Sequence, residues 1–177
     1  MIDEPYVGGA ERGGKRGRGS ENKAIDVIAV EVFPPKGFGR IRMQRIQDVA
    51  GDSLVPFICD VAEPSSTILM DGWSGYNGLT EHGFMHSRTV LSEGGAPAHV
   101  AMPGVHRIAA LLKRWLLGIH QGAVRGKQLD YYRDEYTCRF NRCTSSSRGM
   151  LFYRLMQQTV ATASALYRQL VDGNHQI

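Results

Sequence analysis

The chain has 177 residues, 42% of them apolar and 21% charged, the balance of one globular domain with a real core and no room for a second. No run of eighteen apolar residues occurs, which argues against a spanning helix, and the start, MIDEPYVGG, shows no basic-then-apolar leader pattern, which leads us to expect a cytoplasmic protein. A formal charge of +4 with a pI near 9.1 suits a polyanionic partner because the basic residues cluster, at 12–18, 107–114 and 125–148.

Residues 1–7 (MIDEPYV) carry β-branched and aromatic side chains and end at a Gly-Gly pair, which predicts a strand. Residues 11–23 are Gly-rich and basic and predict an exposed loop. Residues 24–33 (AIDVIAVEVF) read as a second strand, 34–37 (PPKG) as a turn, and 39–46 (GRIRMQRI) as a half-exposed third strand, so the three form an antiparallel meander. Residues 53–61 are apolar at helical spacing, with Asp52 or Ser53 as N-cap and Pro56 in the first turn. A short apolar strand, TILMD, follows and ends at Asp71, then a helical stretch at 76–82, a last strand at 83–91 and a loop at 92–102. From Gly104 on the chain reads as helical. Ile108, Leu111, Leu112, Trp115, Leu116 and Ile119 form one apolar stripe, and two further helices are expected at 129–140 and 151–170 around a turn at 143–149.

Asp71 sits where a buried strand empties into a loop, the place where open α/β sheets put their chemistry. Asp-Gly is also ordinary turn chemistry, and on this stretch alone that is the simpler reading. The element order (three meandering strands, a crossover helix, a fourth strand) matches the RNase H-like fold, an α/β architecture with a mixed five-stranded sheet flanked by helices. There the first and fourth strands lie side by side, which would bring Asp3 next to Asp71. Two carboxylates in one crevice repel each other unless a divalent cation with oxygen ligands is shared between them. On the next helix His106 and Lys113 are seven residues apart, so two turns return them to within about 20° of each other. They share the face opposite the apolar stripe, with Arg107 and Arg114 flanking. A solvated charged face would look the same. Cys59, Cys138 and Cys143 form no CxxC pair, and His82 and His86 have no metal-site spacing, so neither a zinc ribbon nor a disulfide framework is supported. The aromatics Tyr131, Tyr132, Tyr136, Phe140, Phe152 and Tyr153 are expected in the core.

Five stretches together resemble one family: IDEPYVGG (2–9), KRGRG (15–19), DGWSGYNGL (71–79), PGVHRIAALLKRWLLGIHQGAV (103–124) and FNRCTSSSRGMLFYRL (140–155). The chain is similar to the RNase H-like catalytic domain of bacterial insertion-sequence DDE transposases of the IS1595 group. The resemblance implies a single catalytic domain over 1–177 that cleaves DNA and joins strands with Mg²⁺ (or Mn²⁺), acting on transposon ends and target DNA in the bacterial cytoplasm and nucleoid, with homo-oligomers expected and no membrane. It makes Asp3, Asp71 and His106 the catalytic and metal-binding positions, His106 standing where many relatives have Glu or Asn. Lys113, Arg107 and Arg114, with Lys15, Arg16 and Arg18 of the basic loop, would hold DNA phosphates. The N-terminal zinc ribbon and DNA-recognition segment of such proteins is not matched, which leaves two alternatives: an inactive fragment that only binds DNA, and a general RNase H-like nuclease.

Overall fold

A computed structural model describes residues 1–8, 23–35, 37–89, 98–121, 128–164 and 166–168. β1 (Ile2–Asp3) and β2 (Tyr6–Val7) run antiparallel to β3 (Ala24–Val32) in a single register, with Asp3 opposite Ile28 and Tyr6 opposite Ile25. They are one strand interrupted at Glu4-Pro5, where proline has no N–H to give the ladder. The Pro5 carbonyl still accepts the Asp26 N–H at 3.2 Å. β4 (Phe38–Ile46) pairs with the other edge of β3, which completes the expected meander.

The chain then crosses through α1 (Gly51–Val61) to β5 (Thr67–Asp71), passes a 3₁₀ helix (Ser74–His82), and returns in β6 (Met85–Thr89), parallel to β5. α2 (Ala98–Ala101), α3 (Pro103–His120), α4 (Leu129–Arg142) and α5 (Arg148–Ala161) follow.

β3 is covered on both faces, which is why its sequence is almost continuously apolar rather than strictly alternating. Ile28 and Val30, with Ile41 of β4, pack under Val105, Ile108 and Leu112 of α3 and Leu129 and Tyr136 of α4. Val27 and Ile46 face the other way, onto Leu54, Phe57 and Ile58 of α1 and Ile68 and Met70 of β5. Burying a side chain of this size is worth about 1.5–3 kcal/mol, so these two clusters decide how the helices sit.

Several expectations need correction. The five-stranded sheet is not formed among the described residues: hydrogen bonds give a four-stranded antiparallel sheet and a separate parallel pair. β1 packs beside β5 without sharing a ladder with it. With two residues before the Glu4-Pro5 break, β1 has little backbone to offer a second neighbour. α1 begins two residues earlier than expected, behind Ala50, because the Asp48 carboxylate accepts the Ala50 N–H at 3.0 Å and the Ser53 hydroxyl at 2.8 Å. Pro56 therefore falls inside the helix and not in its first turn. Part of the expected loop at 92–102 is α2, and residues 90–97 lie outside the described ones. The last helix closes at Ala161, where the Thr162 N–H bonds back to the Gln158 carbonyl at 2.9 Å, well short of 170. α5 stands clear of both core clusters, so Phe152 and Tyr153 are exposed rather than buried. Ile119, at the end of the expected stripe, is exposed as well, and Val105 and Ala109 take the burial at its start. No helix among the described residues is long and apolar enough to cross a membrane.

Candidate active site

Side chains alternate along a strand. Ile2 therefore turns into the core beside β5, and Asp3 faces the start of α3, about a quarter exposed. α3 opens on Pro103, a residue suited to a first turn because its missing N–H has no intrahelical partner there. Gly104 lets that turn approach β4 closely, since a Cβ on it would lie 2.9 Å from Cε1 of Phe38. The approach brings His106 to the first strand, with its Nδ1 3.9 Å from Oδ2 of Asp3, too long for a hydrogen bond but close for a charge contact.

Asp71 ends β5. Its Oδ1 accepts the Trp73 N–H at 3.0 Å, so the turn chemistry read from Asp-Gly is present, and one carboxylate oxygen serves it. The DGWSGY stretch holds this turn in place. The Trp73 indole N–H donates to the Val49 carbonyl at 2.8 Å, and a Cβ on Gly75 would come within 2.7 Å of the same oxygen. The loop after Asp71 is thus clamped onto the β4–α1 connection, which sequence reasoning did not foresee. The signal was there in the tryptophan and glycine spacing, but their partner lies more than twenty residues upstream.

The Asp3 carboxyl titrates above its ordinary value of 3.8. Burial is the main cause, and the negative charge of Asp71 pushes in the same direction. The charge of His106, the Glu4 backbone N–H and the charge of Lys113 all oppose the rise. Asp3, Asp71, His106 and Lys113, spread over a hundred residues of sequence, therefore act on one carboxylate. The remaining predicted contacts fall elsewhere. Arg107 is turned about 100° around α3 from His106 and lines a cavity with Phe38, Arg40 and Phe140. The Arg114 charge acts on Tyr136 of α4, whose hydroxyl burial raises to about 12. Lys15, Arg16 and Arg18 lie outside the described residues.

Two carboxylates on neighbouring strands, one destabilised as an anion by burial, have the chemistry that suits a hard divalent cation. Magnesium commonly takes one or two carboxylates and fills its other positions with water and phosphate. Among the described residues no three His, Cys, Asp or Glu side chains converge as a ready-made metal cage. The carboxylate oxygens of Asp3 and Asp71 are donors of the type such a cation takes, and His106 lies 3.9 Å from Asp3.

A second charged group went unforeseen. Asp26, fully buried in the middle of β3, has Oδ1 3.5 Å from Nη1 of the buried Arg133 on α4, and Arg133 also meets Asp130 at 3.0 Å. An acidic residue inside AIDVIAV was the available sign, since a buried aspartate needs a cation nearby.

A family model described as the ISXO2-like transposase domain matches residues 1–141, ending one residue before the end of α4. No curated protein and no solved structure gives a match.

Proposed function

The chain belongs to the family of ISXO2-like transposase domains, and from that premise we propose that it is an RNase H-like catalytic domain that cleaves and rejoins DNA at Asp3 and Asp71 with a divalent metal. The observation that supports this reading is that β1 packs beside β5 and that Asp71, His106 and Lys113 all act electrostatically on the Asp3 carboxyl, with His106 Nδ1 3.9 Å from Asp3 Oδ2. Asp3 and Asp71 would hold Mg²⁺ or Mn²⁺, which when bound supplies Lewis-acid activation of a phosphodiester.

The chain's own residues divide the remaining work. Asp3 must be deprotonated to act, and the charges of His106 and Lys113 favour that state against burial. Lys113 is exposed two turns along α3 from His106 and offers a point charge to a backbone phosphate. The clamp of Trp73 and Gly75 keeps Asp71 at the strand end while one of its oxygens remains outside the turn hydrogen bond. Water as nucleophile gives a nick with a free 3′-OH, and that hydroxyl as nucleophile gives strand transfer.

The test is incubation with supercoiled plasmid and Mg²⁺ or Mn²⁺. Nicking by the wild type, lost by about a hundredfold or more in Asp71→Ala and Asp3→Ala while DNA binding persists, supports the reading. The second reading, a DNA-binding protein without catalysis, is favoured by the lack of a preassembled three-ligand group among the described residues. Metal-independent binding with no nicking by any variant would establish it instead.

A further inference from the structure

A cavity of about 550 Å³ opens between the end of β3, the start of β4, α3 and the C-terminal end of α4. It begins one residue from His106 on α3, at Arg107, and shares no residue with the carboxylate site. Three phenyl rings line it: Phe38 and Phe140 are half-buried, and Phe33 is 53% exposed. Arg40 and Arg107 stand exposed at its walls, and neither forms an ion pair with a described residue.

Two of its polar neighbours, Asn141 and Glu31, are already committed. The Asn141 side-chain amide bonds both backbone groups of Ile41, accepting from its N–H at 2.7 Å and donating to its carbonyl at 2.9 Å. Glu31 Oε2 accepts the Arg40 N–H at 3.0 Å. Gly39 makes the wall possible, since a Cβ there would collide with the Glu31 carboxylate and come within 2.7 Å of the Phe33 ring.

Flat rings beside unpaired guanidinium groups are the chemistry of a nucleotide: base on ring, phosphate on cation. The volume lies within the range of single-ligand pockets and is too small for a duplex. We propose that this cavity receives one unpaired nucleotide of the DNA on which the domain acts, its base against Phe33 and Phe140 and its phosphate on Arg107. The proposal rests on the reading of the chain as a DNA-acting domain. Only an unstacked base can present its face to the rings, so a paired nucleotide is excluded. Glu31 lies beside Arg40 and repels a phosphate there, which leaves Arg107, on the helix side, as the counter-ion. With Asn141 spent on Ile41, stacking on the rings, which tolerates any base, supplies most of the contact.

Binding of the full chain to two labelled DNAs tests this, measured by fluorescence anisotropy at fixed salt without divalent metal. One DNA is a blunt duplex and the other is the same duplex with a single bulged nucleotide. The expected result is about tenfold tighter binding of the bulged DNA. Phe33→Ala should remove that preference and leave blunt-duplex affinity unchanged, Phe33→Trp should keep it, and Arg107→Ala should reduce it. Both positions are exposed, and circular dichroism checks that the variants fold. Equal affinity of the wild type for the two DNAs overturns the pocket but leaves the DNA-acting reading standing. Failure to bind either DNA overturns that reading itself. A preference abolished equally well by free deoxynucleoside monophosphate would make the cavity a small-molecule site and overturn the proposal.

Discussion

Asp3 holds opposing influences in one side chain, and each can be removed singly. Burial and Asp71 raise its pKa, while His106, the Glu4 N–H and Lys113 lower it. Lys113→Met should therefore push the Asp3 titration further up, and Asp71→Asn should bring it back toward 3.8. Carbon-detected NMR of the carboxyl across an acid titration reads both shifts, and a move in the opposite direction for either variant would refute the arrangement. Since a metal ligand must be deprotonated, metal-dependent activity should fade on acidification at a higher pH in Lys113→Met than in the wild type. Gly75 belongs to the same scale. A methyl group there would lie 2.7 Å from the Val49 carbonyl, which backbone cannot easily yield. Gly75→Ala should disturb the Trp73 clamp, cost about 1–3 kcal/mol in denaturant unfolding, and weaken nicking although no reacting group is changed.

At the level of elements, α3 and α4 are fastened to the sheet by different means. α3 relies on apolar packing, with Val105, Ile108 and Leu112 buried against β3 and β4. α4 adds directional bonds, since Asn141 completes the hydrogen bonding of Ile41 as a neighbouring strand would. Asn141→Ala would leave a partly buried N–H and carbonyl without that partner and should destabilise the fold by about 1–3 kcal/mol, measurable by urea titration. The helical stripe on α3 was legible because the 3.6-residue period survives in the sequence. Its burial runs from Val105 to Leu116 and not on to Ile119, which is exposed and belongs to neither core cluster. The start of α1 was misread because Asp48, which organises that turn, lies outside the helix it serves.

Across the whole molecule, the buried Asp26 is held against Arg133 between β3 and α4. Burial raises its carboxyl to about 6, even though the nearby Arg133 charge opposes the rise. Between about pH 4 and pH 6 the folded protein binds a proton at Asp26 that the unfolded chain has already released. This contribution to stability is complete below that window and is lost as pH rises through it. The stability of Asp26→Asn relative to wild type should accordingly increase from pH 4 to pH 6, which thermal unfolding across that range would show, and a flat difference would refute it. α5 is the contrasting case: Phe152 and Val160 are exposed there, and no residue of the helix is buried. Phe152→Ser and Val160→Ser should shift stability by no more than about 0.5 kcal/mol.

Strands and helices could be read from the sequence because their causes are local. β-branched runs, a 3.6-residue period and Gly or Pro punctuation act within a few residues, and family motifs preserve the same local order. Asp71 was readable both as a turn residue and as half of a carboxylate pair; its hydrogen bond to Trp73 bears out the turn, and its charge is one of those that act on Asp3. Only the tertiary structure decided that Arg107 faces a cavity with Phe38 and Phe140 instead of the carboxylates, that Asp26 meets Arg133, and that β1 lies beside β5 without a shared ladder. Each of these depends on the distance and angle at which whole elements pack, set by side chains far apart in the chain that bury one another.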